Sequence, residues 1–214
     1  SFLNFPLVTM RVDKLSLLFG YIFLLAGFIN AIYALHSKDI GQQVAMFLYS
    51  GSALGAVFAG DLLTLFVFWE LTAVSSVFLI WARKTDKAFK AGMRYLIIQL
   101  ISGLLLLVGV LIFNNAQNTL EFSSMNLGEP GVILIFLAFG IKTAFPLMHS
   151  WLQDAYPEAT EIGTVVLAAY TTKLGIYALA RGFAGTDLLI IIGAIMAAFP
   201  IFYAVIENDL RRVL

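Results

Sequence analysis

Apolar residues gather along this chain into seven stretches, near 15–35, 43–60, 62–82, 93–113, 131–148, 162–180 and 187–206, with short polar segments between them. A bilayer core of roughly 30 Å needs about 20 apolar helical residues per crossing. Each stretch reaches or approaches that length. The fifth is short, and only Gly60 and Asp61 part the second from the third. The pattern predicts an all-α, polytopic integral membrane protein with about seven transmembrane helices. Residues 1–214 are expected to form a single membrane domain, because the loops leave no room for an extramembrane one.

Composition sharpens this picture. Hydrophobic residues make up 61% of the 214 positions and charged residues 12%, and mean hydropathy is +0.93. No water-soluble domain of this size hides that much apolar surface, so the lipid bilayer is the first partner. The absence of cysteine excludes a disulfide framework and any thiolate metal site. His36 and His149 are too few and too far apart to suggest a metal centre. No phosphate-binding glycine loop appears, and no basic stripe interleaved with aromatics. Neither a cofactor nor a nucleic acid is therefore expected.

The basic residues divide unevenly between the two sides of a seven-crossing chain. One side receives Lys38, Arg83, Lys84, Lys87, Lys90, Arg94, Arg211 and Arg212, and the other only Arg11, Lys14 and Arg181. This bias predicts a cytoplasmic location for the first group, in the plasma membrane, with the N-terminus of the segment outside. The chain opens at Ser1 without an initiator methionine, as a processed chain or a piece of something longer would, and its first apolar run is too long for a cleaved signal peptide.

Three charges break the pattern by sitting inside apolar stretches: Glu70, Lys142 and Lys173. A charge near the bilayer centre costs about 2.5–3.5 kcal/mol on insertion scales and so needs a partner or water. An acid and two bases at membrane depth suggest an ion path, although Glu70 also fits a structural ion pair that glues two helices and Lys142 an ordinary proline kink with a lysine that snorkels toward the cytoplasm. Glu70 lies about eight residues into the third run, roughly 12 Å deep, where Thr72 and Ser76 are placed to hydrate its carboxylate. In GIKTAFPLMHSW, Pro146 follows Lys142 by four, removing the amide that the Lys142 carbonyl would bond and kinking the helix. Transporters place ion sites on such broken helices. His149, three residues on, suits a shuttle between water and a buried amine as well as a structural hydrogen bond. Lys173, beside Thr171, Thr172 and Gly175, is the candidate for a second relay station or for a lysine bonded to a carbonyl.

These segments resemble a known family. LLTLFVFWELTAVSSVFLI, KAGMRYLIIQLISGLLLLVG, FGIKTAFPLMHSWLQDAYPEAT, TTKLGIYALAR and ENDLRRVL are similar, in this order, to segments of the antiporter-like subunits of respiratory complex I, Mrp-type sodium/proton antiporters and membrane-bound hydrogenases. The resemblance implies a fourteen-helix fold with two inverted five-helix repeats, of which this chain holds the third through ninth helices and one complete repeat. It casts Glu70 as the ion-pair glutamate, Lys142 as the broken-helix lysine and Lys173 as the bridging lysine. It further implies other membrane subunits as partners and translocation of protons, with or without exchange for sodium, by a subunit that is not itself an enzyme. Gln153 stands where the family has proline and Tyr156 where it has histidine, which puts proton uptake through a histidine pair in doubt. Two rival readings are a retinal-type photoreceptor, disfavoured because 187–206 contains no lysine, and a non-conducting protein of structure and assembly.

Overall fold

A computed structural model of the chain describes residues 7–207. Eight α-helices carry it: α1 (Lys14–Tyr33), α2 (Ile40–Phe58), α3 (Leu62–Trp81), α4 (Asp86–Gln117), α5 (Val132–Lys142), α6 (Ser150–Ala155), α7 (Glu161–Gly182) and α8 (Asp187–Ile206). Outside the helices, one isolated bridge joins Asp61 to Glu121. Among the described residues, five helical segments are long and apolar enough to cross a membrane: Lys14–His36, α3, α4, α7 and α8. Helix α2 has 19 residues but carries Gln42, Gln43, Ser50 and Ser52, and is not among the five.

Helix starts follow local chemistry. Asp13, Asp39, Asp61, Thr85 and Thr160 stand immediately before α1, α2, α3, α4 and α7, each accepting a hydrogen bond from a backbone amide of the first turn. Such caps satisfy donors that the helix itself leaves open.

Two runs depart from the expected limits. The fourth extends to a 32-residue helix from Asp86 to Gln117. The fifth does not continue to 148: α5 stops at Lys142 after 11 residues. Pro146 offers no amide, and the position before a proline is biased away from helical geometry. Ala144 and Leu147 take left-handed φ values of 60° and 71°, conformations that cost a side-chain-bearing residue of order 1–3 kcal/mol. The break is held from outside, by the Trp151 indole donating to the Ile141 carbonyl at 3.0 Å. On the α7 side, a Cβ at Gly175 would lie 3.0 Å from the Thr143 amide nitrogen, so glycine admits the broken segment after α5 against this helix.

Ion pairs gather at the two ends of the bundle. At one end Arg11 meets Glu121 and Arg181 meets Asp13, both at 2.8 Å. At the other, Lys84 pairs with Asp39 at 3.1 Å, Lys87 with Glu158 at 2.6 Å and Arg94 with Asp154 at 2.6 Å. Pairing with Arg181 and the Ser16 amide holds Asp13 well below the usual carboxylate range. The Gln42 amide, and then Lys84, hold Asp39 low as well. Between these ends, Leu18, Leu25, Phe28, Leu104, Leu111, Ile190 and Phe202 face outward, as side chains in contact with lipid do. Arg211 and Arg212, with the rest of 208–214, lie outside the described residues.

Candidate functional site

Where α3, α4 and α5 meet, the break places the last residue of α5 in the protein interior. Lys142 is 1% exposed. Its Nζ donates to the Trp69 carbonyl at 3.0 Å and to Thr72 Oγ1 at 2.8 Å, and it lies 4.3 Å from the centroid of the Trp69 ring. All three partners are neutral. The half-helix supplies a fourth favourable influence, because its C-terminus carries partial negative charge where the ammonium sits.

Trp69 is fixed from the far side. Its indole nitrogen donates to Ser102 Oγ on α4 at 3.1 Å, and that hydroxyl donates to the Ala138 carbonyl of α5 at 2.8 Å. Trp69 thus links α3 to α4 and α5, and presents both its backbone carbonyl and its ring to the ammonium.

Glu70, the neighbouring residue, points toward α4. A Cβ on Gly103 would overlap its Oε1, so only glycine leaves room for the carboxyl group there. That oxygen is buried and finds no hydrogen-bond partner among the described residues. Glu70 and Lys142 act on each other electrostatically but are not in ion-pair contact within 4.0 Å. The sequence expectation for Thr72 and Ser76 needs correction. Thr72 holds the lysine rather than hydrating Glu70, and Ser76 bonds Tyr95 Oη at 2.7 Å. Both hydroxyls are committed: one turn apart on the same face of α3, Thr72 meets Lys142 of α5 and Ser76 meets Tyr95 of α4.

The remaining candidates lie elsewhere. His149 precedes α6, half-buried, with its ring 5.7 Å from that of Phe199 on α8. Together with Thr143, Pro146, Gln153, Thr172 and Glu207 it lines a cavity of about 420 Å³ between the break, α7 and α8. Lys173 is exposed on the outer face of α7 and donates to the Ala168 carbonyl at 2.7 Å. No hydrogen bond or ion pair joins it to Lys142 among the described residues.

Sequence reasoning missed Gln99. It is fully buried on α4, and neither its carboxamide oxygen nor its nitrogen has a partner among the described residues. Leaving such a group unsatisfied costs roughly 1–3 kcal/mol, so its retention calls for an explanation. The signal was present: Tyr95, Gln99, Ser102 and Gly103 recur at helical spacing along one face of an otherwise apolar run.

Residues 59–214 match the family described as NADH:quinone oxidoreductase/Mrp antiporter, TM. The chain belongs to this family. It is 26% identical over 99% of its length to hydrogenase-4 component B of Escherichia coli, covering 35% of that protein. It is 29% identical over 96% of its length to one of the Na(+)/H(+) antiporter subunits of Alkalihalophilus pseudofirmus, covering 29% of it. The chain therefore spans about a third of the length of these curated relatives. In fold it is similar to a chain of respiratory complex I from Thermus thermophilus, with a TM-score of 0.85 and 18% identity over 98% of this chain and 49% of that one. The family and its neighbours make this a multi-pass membrane segment related to subunits of oxidoreductase and antiporter complexes.

Proposed function

We propose that the chain is the ion-translocating part of a membrane subunit, moving protons through the Glu70–Lys142 site. One observation carries the reading. A fully buried ammonium is held by neutral groups alone, while a carboxylate with an unpartnered oxygen stands near without touching it. A purely structural pair would close to contact, because breaking a buried pair costs several kcal/mol. A pair held apart responds to movement of either member, which is what a switchable proton site needs.

In the loaded state the Lys142 amine holds its proton between the Trp69 carbonyl, Thr72 and the Trp69 ring. A shift of Glu70 or of the strained break removes part of that support and drives the proton toward the cavity beside α7. There Thr172 and His149 line the way, and Lys173 follows Thr172 along the same helix. Coupling arrives from partner subunits of a multisubunit complex in the plasma membrane, with 83–90 on the cytoplasmic side. One relative is named as part of a sodium/proton antiporter, so sodium exchange is the property to measure alongside proton flux.

The test is a pair of variants in the full-length protein, assembled with its partners and reconstituted in vesicles with a pH-sensitive dye. Lys142→Met keeps length and apolar volume without a titratable amine, and should assemble while losing most proton translocation. Lys142→Arg should fail as well, because guanidinium does not release its proton. If the lysine only tied helices together, arginine would serve nearly as well. Normal pumping by the arginine variant overturns the reading, and repeating the assay with and without sodium shows whether sodium is exchanged.

A further inference from the structure

Helices α1 and α2 touch at one end of the bundle and part at the other. At the end that holds Arg11 and Arg181, a Cβ on Gly20 would lie 2.6 Å from the ring of Phe58, so the two helices are in close contact there. Toward the basic end they leave between them a groove of about 200 Å³. Ala34 and Met46 form its buried floor, and Phe28, Leu35 and Phe47 stand exposed around it. Ala31 and Ala34 are too small to fill the space. Gln43 is the one polar side chain in the lining, and its amide nitrogen is spent on the Ser37 carbonyl at 2.8 Å. A water needs two to four polar partners, so this groove calls for an apolar occupant.

The mouth of the groove carries net positive charge. The same Gln43 bond ties the connector at 37–39, which joins the two helices, to the end of the groove. Lys38 is exposed in that connector and makes no ion pair among the described residues. His36, also exposed, stands two residues before it with its ring against Tyr33. The acid beside them is already matched: Asp39 pairs with Lys84 at 3.1 Å and caps α2 by accepting from the Gln42 amide at 3.2 Å. Lys38 is therefore a cation in excess, placed where an apolar groove opens. A helix with its side chains is about 10–12 Å across, too thick for an opening of this volume. An acyl chain, a single file of methylenes, is not.

We propose that the α1–α2 groove binds one anionic phospholipid from the leaflet at the basic end, with an acyl chain in the groove and the phosphate at Lys38 and His36. The chain covers Ala31, Ala34 and Met46, which the two parted helices leave uncovered. The headgroup supplies the negative charge that Lys38 lacks. A zwitterionic lipid fills the groove equally well but offers no net charge to the lysine, so the preference for an anionic headgroup rests on Lys38. Each basic side chain near an anionic lipid surface strengthens binding about fivefold. The site is independent of any role for Lys142.

The test titrates the full-length protein, assembled with its partners and delipidated in detergent, with dioleoylphosphatidylglycerol and dioleoylphosphatidylcholine, and counts bound lipid by native mass spectrometry. The anionic lipid should bind more tightly. Lys38→Gln should weaken it about fivefold and leave phosphatidylcholine unchanged, while Lys38→Arg keeps the preference. Lys90→Gln, which removes an equally exposed cation on α4, should change neither. Ala31→Phe fills the groove and should weaken both lipids. Where that variant assembles poorly, Ala31→Leu repeats the measurement with a smaller side chain. Equal affinity for the two lipids, or an unaltered anionic preference in Lys38→Gln, overturns the proposal. An equal loss in Lys90→Gln makes the attraction a diffuse property of the basic end and overturns it too. Inorganic phosphate competing as well as the whole lipid, or unchanged lipid binding in the Ala31 variants, removes the groove from the site. Failure of the assembled complex to bind either lipid, with assembly lost in both Ala31 variants, shows that protein covers the groove and overturns it as well.

Discussion

Thr72→Val is the substitution whose effect the structure fixes most closely. Threonine and valine have the same branched shape, and both are stiff in a helix, so the change removes one oxygen and adds one methyl group. The oxygen accepts from Lys142 Nζ at 2.8 Å and donates to the Trp69 carbonyl at 2.7 Å. A hydrogen bond to a charged group contributes about 1.5–3 kcal/mol. Against that loss, a buried carbon group gains at most about 0.8 kcal/mol. The difference is a destabilisation of about 1–2 kcal/mol, a few degrees in Tm for a unit of this size. Thr72→Ser keeps the acceptor and should remain closer to wild type. Thermal unfolding of the full-length protein in detergent reads both variants. Translocation by the valine variant should fall as well, because the ammonium keeps only the Trp69 carbonyl and ring. A valine variant as stable and active as wild type would show that the Thr72 hydroxyl does not hold Lys142, and the arrangement of the site would need redrawing.

Gly103→Ala puts a Cβ where the Glu70 carboxyl lies. It should cost about 1–3 kcal/mol through overpacking and impair translocation, whereas unchanged stability and flux would place that carboxyl elsewhere. Because Asp13 is held well below the usual carboxylate range by Arg181 and the Ser16 amide, the native state binds fewer protons there than the unfolded chain. Its contribution is complete above the unfolded value of about 3.9 and fades as pH falls through the lower folded one. Asp13→Asn should therefore be less stable than wild type near pH 6 and converge with it in acid, and parallel pH profiles of Tm would refute the pairing. Single cysteines at Lys87 and Asn118, introduced into this cysteine-free chain, should label from the cytoplasmic and external sides respectively, and a cytoplasmic Asn118 would reverse the assigned orientation.

Much of the fold was legible because its causes are local. Transfer of an apolar run into lipid is a sum over consecutive residues, so run length alone announced an all-helical membrane protein. Pro146 announced a break for the same reason, although not that α5 would end at Lys142 itself. Hydropathy alone did not show where each helix begins: the caps at Asp13, Asp39, Asp61, Thr85 and Thr160 set those starts, at Ile40 and Asp86 rather than at 43 and 93 for α2 and α4. The chemistry of Glu70, Lys142 and Lys173 stood out because charge is costly in an apolar run wherever the run packs.

Tertiary structure alone decided what those charges meet. Lys142 finds its carbonyl partner 73 residues away, and no spacing rule relates α5 to α3. Hydropathy gives the depth of a residue but not the direction its side chain takes. Thus Lys142 is buried while Lys173, equally deep in an apolar run, faces outward. The gap between Glu70 and Lys142 depends on Gly103 of a third helix, and the orphaned amide of Gln99 becomes visible only when α3, α4 and α5 close around it. Sequence sets the cost of each polar group in lipid, and packing decides which of them share it.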